Sequence, residues 1–187
     1  MNKKKILTVK NLCVSINNNE IIKNLSFGIK EKENLVILGP NGAGKTTFLR
    51  ALLNIIPYPG QVEWKTKNIS YLPPKEFFAR KNLPPLNIKE FFEFKNSSKK
   101  KTNKIITEVG LKPNILKKQF TSLSTGQFQR MLIAWSLVNN PKVLLLDEPT
   151  AGIDIGGEET IYSLLHKFWK ESDLTILLVT HDLNIVW

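Results

Sequence analysis

Cysteine is nearly absent: Cys13 is the one thiol in 187 residues. No internal disulfide can form, and the chain fits a reducing compartment. Cys13 itself is expected to be a small packed residue rather than a reactive thiol. Arginine is scarce as well. Of 27 basic residues only Arg50, Arg80 and Arg130 are arginines, although the formal net charge is +11. The side chain suited to bidentate phosphate and base contacts is missing where a nucleic-acid binder would need it, so no nucleic-acid partner is expected. Long apolar runs are missing too, and none approaches the roughly 20 residues of a membrane span. The basic start, Met1-Asn2-Lys3-Lys4-Lys5, leads only into Ile6-Leu7-Thr8-Val9, too short for the apolar region of a signal peptide. The expected location is the cytoplasm. There is no internal repeat and no long disordered segment.

What remains is an ordinary globular composition, 42% hydrophobic, in a chain long enough for one domain with a sizeable core. The positive charge is localised. Residues 65 to 118 hold fourteen basic and four acidic residues, a net +10, and Lys99-Lys100-Lys101 is the densest point. Two readings stay open for this segment: a solvated lysine face, or a surface near anionic lipid headgroups or a membrane partner.

Residues 6 to 16 and 21 to 29, separated by Asn17-Asn18-Asn19, read as an antiparallel hairpin. Residues 35 to 38 read as a buried strand. A helix follows with Phe48, Leu49, Leu52, Leu53 and Ile56 on one face, ended by Pro57, Pro59 and Gly60. Short strands are expected near 61 to 64 and 69 to 72. From Pro73 to about Phe120, prolines 73, 74, 84 and 85 punctuate short helical patterns near 88 to 95 and 103 to 109. This reads as a small helical insert. Phe77, Phe78, Phe91, Phe92 and Phe94 are expected to be its own core, with one or two facing a partner. An amphipathic helix is expected over 126 to 139, with Phe128, Met131, Leu132 and Trp135 on one face, and another over 158 to 170. Val143 to Leu146 and Leu174 to Val179 read as two more buried strands. Apolar strands alternating with helices predict a parallel sheet covered on both faces.

The stretch between the 35 to 38 strand and its helix is Gly39-Pro40-Asn41-Gly42-Ala43-Gly44-Lys45-Thr46-Thr47. Gly39, Gly44, Lys45 and Thr46 satisfy G-x-x-x-x-G-K-[ST]. Glycines let the backbone curl so that N–H groups point at an anion, and the helix N-terminus adds partial positive charge. Lys45 is expected to reach the β- and γ-phosphates of a nucleoside triphosphate, and the Thr46 hydroxyl to ligate Mg²⁺. A second strand ends in Asp147-Glu148-Pro149, at the sheet end where ligands bind. Asp147 suits the metal, and Glu148 suits polarising the water that attacks the γ-phosphate. Leu123-Ser124-Thr125-Gly126-Gln127 opens a helix and offers a hydroxyl and free N–H groups, a second anion site. His181 follows the third strand, where a ligand and a structural role are equally open. His166 lies within a helical pattern and carries no functional expectation.

Taken together and in this order, these residues resemble the ATP-binding subunit of ABC transporters over essentially the whole chain. The fold that the resemblance implies is α/β, a P-loop NTPase (RecA-like) parallel sheet with an N-terminal antiparallel β part. It would be a single domain over 1 to 187, with the helical subdomain at about 74 to 140. Gly39 to Thr47 matches the phosphate loop, and Ser124 to Gln127 the family's signature, with Thr125 where glycine is more usual. Leu144 to Glu148 matches the second nucleotide motif, Ala151-Gly152-Ile153-Asp154 the D-loop, and His181 the switch histidine that contacts the γ-phosphate. The resemblance implies Glu148, His181 and Lys45 as catalytic, Asp154 as part of the nucleotide site, and Thr46 and Asp147 at Mg²⁺. It implies a head-to-tail homodimer with each ATP between the loop of one subunit and Ser124 to Gln127 of the other. It also implies an integral membrane permease, an extracytoplasmic solute-binding protein, and a peripheral position on the cytoplasmic face of the membrane. The phrases Leu83-Pro84-Pro85-Leu86-Asn87-Ile88, Gly126-Gln127-Phe128-Gln129-Arg130 and Ala151 to Asp154 are most similar to the zinc and manganese importer branch.

The sequence departs from the family's pattern in three places. Where glutamine usually follows the phrase Tyr71-Leu72-Pro73, Pro74 stands, without a side-chain donor or acceptor. Where an aromatic often stacks on adenine, near residue 16, only Ile16 is offered. The C-terminal end, at Trp187, looks short. Weaker adenine affinity and weaker coupling are the expected consequences, with the phosphate chemistry kept. Two other readings stand beside the importer: a nontransport ABC ATPase acting on nucleic acid or the ribosome, and a degenerate nucleotide-binding regulatory module.

Overall fold

The computed structural model describes residues 4–78 and 85–182. Arg80, Leu83 and Pro84 lie outside the described residues. The strands β1 (Lys5–Ile16) and β2 (Asn19–Lys30) form the expected hairpin. Its turn is Asn17 and Asn18, left-handed with φ of 50° and 64°, the conformation that a two-residue turn needs and that asparagine tolerates. Asn19 already pairs with Ile16, so the turn is one residue shorter than expected. β4 (Gln61–Trp64) pairs with the other edge of β1. Cys13 is half-buried, and its sulfur accepts the Asn24 N–H at 3.3 Å.

The second sheet is parallel. β3 (Asn34–Leu38), β5 (Ile69–Leu72), β6 (Val143–Asp147) and β7 (Thr175–Thr180) run in the order β3-β7-β6-β5. β6 and β7 are buried along their whole length, as continuous apolar runs require. Leu144, Leu146, Ile176 and Leu178 pack on one face; Val143, Leu145, Leu177 and Val179 pack on the other. β3 corrects an expectation. It is half-buried rather than buried, and Leu38 is 50% exposed. The physical reason is its place at an edge of the sheet among the described residues.

The helix α1 (Lys45–Leu52) lies between the two sheets, burying Phe48, Leu49, Ala51 and Leu52 in the core shared with β1. It ends before Pro57, Pro59 and Gly60, contrary to expectation. Asn54 turns left-handed at φ 56°. Its N–H reaches the Ala51 carbonyl at 3.0 Å, and the Ile55 N–H reaches that of Arg50 at 2.9 Å. These two bonds are a Schellman termination, with asparagine in the place that glycine usually takes.

The opposite face of the parallel sheet carries α4 (Thr125–Leu137) and α5 (Ile155–Glu171), with α2 (Ile88–Glu93) and α3 (Lys99–Glu108) beyond them. α4 buries Phe128, Met131, Leu132 and Ile133, and α5 buries Ile161, Tyr162 and Leu165. Phe78 and Phe92 belong to this same cluster, continuous with Leu144 and Leu146 of the sheet. The segment after Pro73 therefore has no separate aromatic core. Its aromatics fill a gap against α4: Phe91 stacks on Trp135, whose indole N–H donates to the Phe91 carbonyl at 3.2 Å. Phe77 and Phe94 are 72% and 69% exposed.

Candidate nucleotide site

Because β3, β5, β6 and β7 are parallel, the segments leaving their C-terminal ends gather at one edge of the sheet, where ligands bind in such folds. A cleft of about 410 Å³ opens there. Asn41, Gly42, Gly44, Lys45, Thr46 and Thr47 line it from the loop after β3, and Asp147 and Glu148 from the end of β6.

The loop's shape follows from its glycines at two positions. Gly44 takes φ +85° at the start of α1, and an added Cβ would lie 2.3 Å from Cγ2 of Ile21. Gly42 has the same φ with open space around it. Pro40 accepts the Ala43 N–H at 3.2 Å, and Gly39 donates to the Thr180 carbonyl at 3.3 Å. Gly39, Pro40 and Ala43 shape the loop without lining the cleft.

Lys45 is buried, and its ammonium spends its donors on three acceptors. These are the carbonyls of Gly39 at 2.8 Å and Pro40 at 3.0 Å, and Oε1 of Glu148 at 3.0 Å. The other carboxylate oxygen of Glu148 lies 3.0 Å from Nδ1 of half-exposed His181. The three residues expected to be catalytic thus form one chain of contacts. Glu148 is left-handed at φ 50°, a strained backbone for a non-glycine residue. Its N–H donates to the Val179 carbonyl at 2.8 Å.

Asp147 is 1% exposed. Its Oδ2 accepts the Tyr71 hydroxyl at 3.2 Å, and the Thr46 hydroxyl lies beside this carboxylate. Oδ1 has no hydrogen-bond partner. Burial raises the Asp147 pKa above the ordinary carboxylate value, opposed by the hydrogen bonds from Thr46 and Tyr71. Burial and the neighbouring Asp147 raise that of Tyr71. An unpartnered oxygen on a buried carboxylate, beside a threonine hydroxyl, is a donor set that fits a hard divalent cation.

Ser124, Thr125, Gly126, Gln127 and Asp154 do not line the cleft. Ser124 caps α4: its hydroxyl accepts the Gln127 N–H and the Gln127 side chain accepts the Ser124 N–H, both at 3.2 Å. The side-chain oxygen of Gln127 is therefore used in a capping box, while its NH₂ group and the Ser124 hydroxyl proton stay available. Asp154 precedes α5 and makes no side-chain cap. Ile16 also lies away from the cleft, 43% exposed beside the hairpin turn. Ile21, on the returning strand, lines it instead.

Sequence reasoning missed four residues. Ile21 and Glu76 line the cleft, and Tyr71 holds Asp147. The hydroxyl of buried Tyr162 lies 2.9 Å from that of Thr150 and 3.4 Å from that of Thr180. It ties together the segments carrying Glu148 and His181. Tyr71 was findable, since it lies one residue before the end of a strand whose neighbour carries Asp147. The other three have no local pattern.

A glycine-rich loop, a buried lysine and paired carboxylates at the C-terminal edge of a parallel sheet define a P-loop nucleotide hydrolase. Residues 22–151 match the ABC transporter family, and the chain belongs to that family as an ATP-binding ATPase chain. It is 39% identical to the "Probable metal transport system ATP-binding protein" of Thermotoga maritima, covering 98% of this chain and 78% of that protein. It is 36% identical to the zinc import ATP-binding protein ZnuC of Buchnera aphidicola subsp. Schizaphis graminum, over 97% of this chain and 76% of that one. Among solved structures it is similar to cbiO1 of Clostridium perfringens, part of the ABC transporter complex cbiONQ. The TM-score is 0.81 at 28% identity, covering 98% of this chain and 81% of that one. No described helix is long and apolar enough to cross a membrane.

Proposed function

We propose that this chain hydrolyses ATP to energise uptake of a divalent metal ion, zinc or manganese, through a membrane permease. The observation that carries the hydrolytic part is the contact chain Lys45–Glu148–His181 beside the phosphate loop. The names of the relatives at 39% and 36% identity support the metal. Phosphate oxygens entering the loop replace Glu148 as the anionic partner of Lys45. Glu148 then accepts a proton from the attacking water, held in orientation by His181. His181 keeps its Nε2 for the γ-phosphate side. Thr46 and Asp147 would hold Mg²⁺, which when bound neutralises phosphate charge. Ile21 offers the adenine an apolar contact that Ile16 does not.

The cleft lacks Ser124 to Gln127 and Asp154, which supports a head-to-tail homodimer in which a second copy brings them to the nucleotide. The helical subdomain at about 74 to 140, with its basic residues and exposed Phe77 and Phe94, would face the permease. An extracytoplasmic solute-binding protein would deliver the ion. The chain would then sit on the cytoplasmic face of the membrane. Steady-state MgATP hydrolysis is the test. Turnover is expected in the unsubstituted chain and a loss of about 10²-fold or more in Glu148→Gln. Equal rates in both would refute the role of Glu148. With the permease reconstituted in vesicles, uptake of zinc or manganese is expected to require ATP, and ATP-independent uptake would refute the coupling.

A further inference from the structure

Pro74 and Glu76 line the same cleft as Thr46, Asp147 and Glu148. They lie just beyond the C-terminal end of β5, where a 3₁₀ turn spans Lys75–Phe78. The Phe77 N–H donates to the Pro74 carbonyl at 3.0 Å and fixes that turn. Among the residues 73–78 only Glu76 carries side-chain oxygens. Among the described residues its carboxylate has no ion-pair partner.

A carboxylate facing a bound polyphosphate is repelled unless a cation lies between them. The cleft offers a place for that cation. Asp147 is 1% exposed and its Oδ1 has no hydrogen-bond partner, with the Thr46 hydroxyl on the same carboxylate. Thr46 and Asp147 come from two neighbouring segments, and Glu76 comes from a third. All three offer oxygen, the ligand that a hard divalent cation takes. We propose that Glu76 supplies a carboxylate oxygen to the shell of the divalent cation that accompanies ATP. The inference rests on the nucleotide-hydrolysing reading above.

The sign of one substitution tests it. Glu76→Gln keeps the shape and removes the charge. All variants are made in the full chain carrying Glu148→Gln, so that nucleotide persists, and Glu93→Gln serves as the surface control. Affinity for a fluorescent ATP (mant-ATP) is measured twice, with saturating Mn²⁺ and with EDTA. Glu76→Gln is expected to weaken binding about tenfold with Mn²⁺, and to leave it equal or tighter in EDTA, where only repulsion remains. Affinity unchanged or tighter in both conditions would overturn the proposal and make Glu76 a repulsive wall, while leaving the nucleotide site intact. Failure of the chain with Glu76 intact to bind the probe better than Lys45→Met would overturn the nucleotide reading itself, and this inference with it.

Discussion

Replacing Glu148 by glutamine removes the charge that holds Lys45 while keeping the side chain's shape. The separation of 3.0 Å corresponds to a gross attraction of about 5 kcal/mol at an effective dielectric of about 20. Both side chains are largely shielded, 7% and 18% exposed, so desolvation offsets much of that. Each group also keeps other partners when the pair is broken. Lys45 keeps two carbonyls, and Glu148 keeps His181. The net coupling is therefore expected to be about 1–3 kcal/mol. It is measured by urea unfolding of the nucleotide-free chain as a double-mutant cycle of Glu148→Gln, Lys45→Met and their combination. The same pair must open before phosphate oxygens reach Lys45. Glu148→Gln should then bind ATP more tightly in EDTA, by about tenfold for each 1.4 kcal/mol of coupling. A coupling below about 0.3 kcal/mol, the error of such cycles, with unchanged ATP affinity, would refute the reasoning.

Three further outcomes are expected. Gly44→Ala is expected to cost about 1–3 kcal/mol in thermal unfolding, from its positive φ and the contact with Ile21. Adding Ile21→Ala should recover the contact but not the backbone part. Asp147 has a raised pKa in the folded chain, so its protonation contributes stability at low pH that is lost as pH rises through the folded value. Asp147→Asn should flatten that dependence in urea midpoints above the ordinary carboxylate range and stabilise the nucleotide-free chain at neutral pH, while weakening Mg²⁺-dependent ATP binding. Tyr162→Phe should cost about 1 kcal/mol of stability and lower kcat more than ATP affinity, because Tyr162 touches Thr150 and Thr180 and not the cleft.

The strands were legible because their signals are local. Val143 to Leu146 is apolar throughout and is buried throughout, and the short strands at 61 to 64 and 69 to 72 lie where expected. The phosphate loop was legible for the same reason: nine consecutive residues carry its geometry. What stayed hidden depends on neighbours distant in sequence. β3 has an apolar run like that of β6, and only its place in the strand order makes it an edge. Ile16 and Ile21 are similar residues on the two arms of one hairpin. The hairpin's register and its approach to Gly44, rather than anything in their composition, bring Ile21 to the cleft. The insert's phenylalanines could not announce that α4 would supply the other half of their core.

The turn after β6 shows why motif spacing alone does not fix a catalytic geometry. Val143, Leu145 and Asp147 alternate onto the face that carries α1, which brings Asp147 to Thr46. The same alternation would send the Glu148 side chain to the opposite face, among Leu144 and Leu146. Its backbone instead turns left-handed at φ 50°, immediately after the ladder between Asp147 and Val179 ends. A conformation of that kind costs of order 1–3 kcal/mol and persists only where its surroundings over-determine it. Here the hydrogen bond to the Val179 carbonyl and the contacts with Lys45 and His181 do so. The charge that orients Glu148 is thus the same lysine that, in the proposed function, the phosphates take. In that proposal, nucleotide binding and the release of Glu148 from Lys45 become two sides of one exchange.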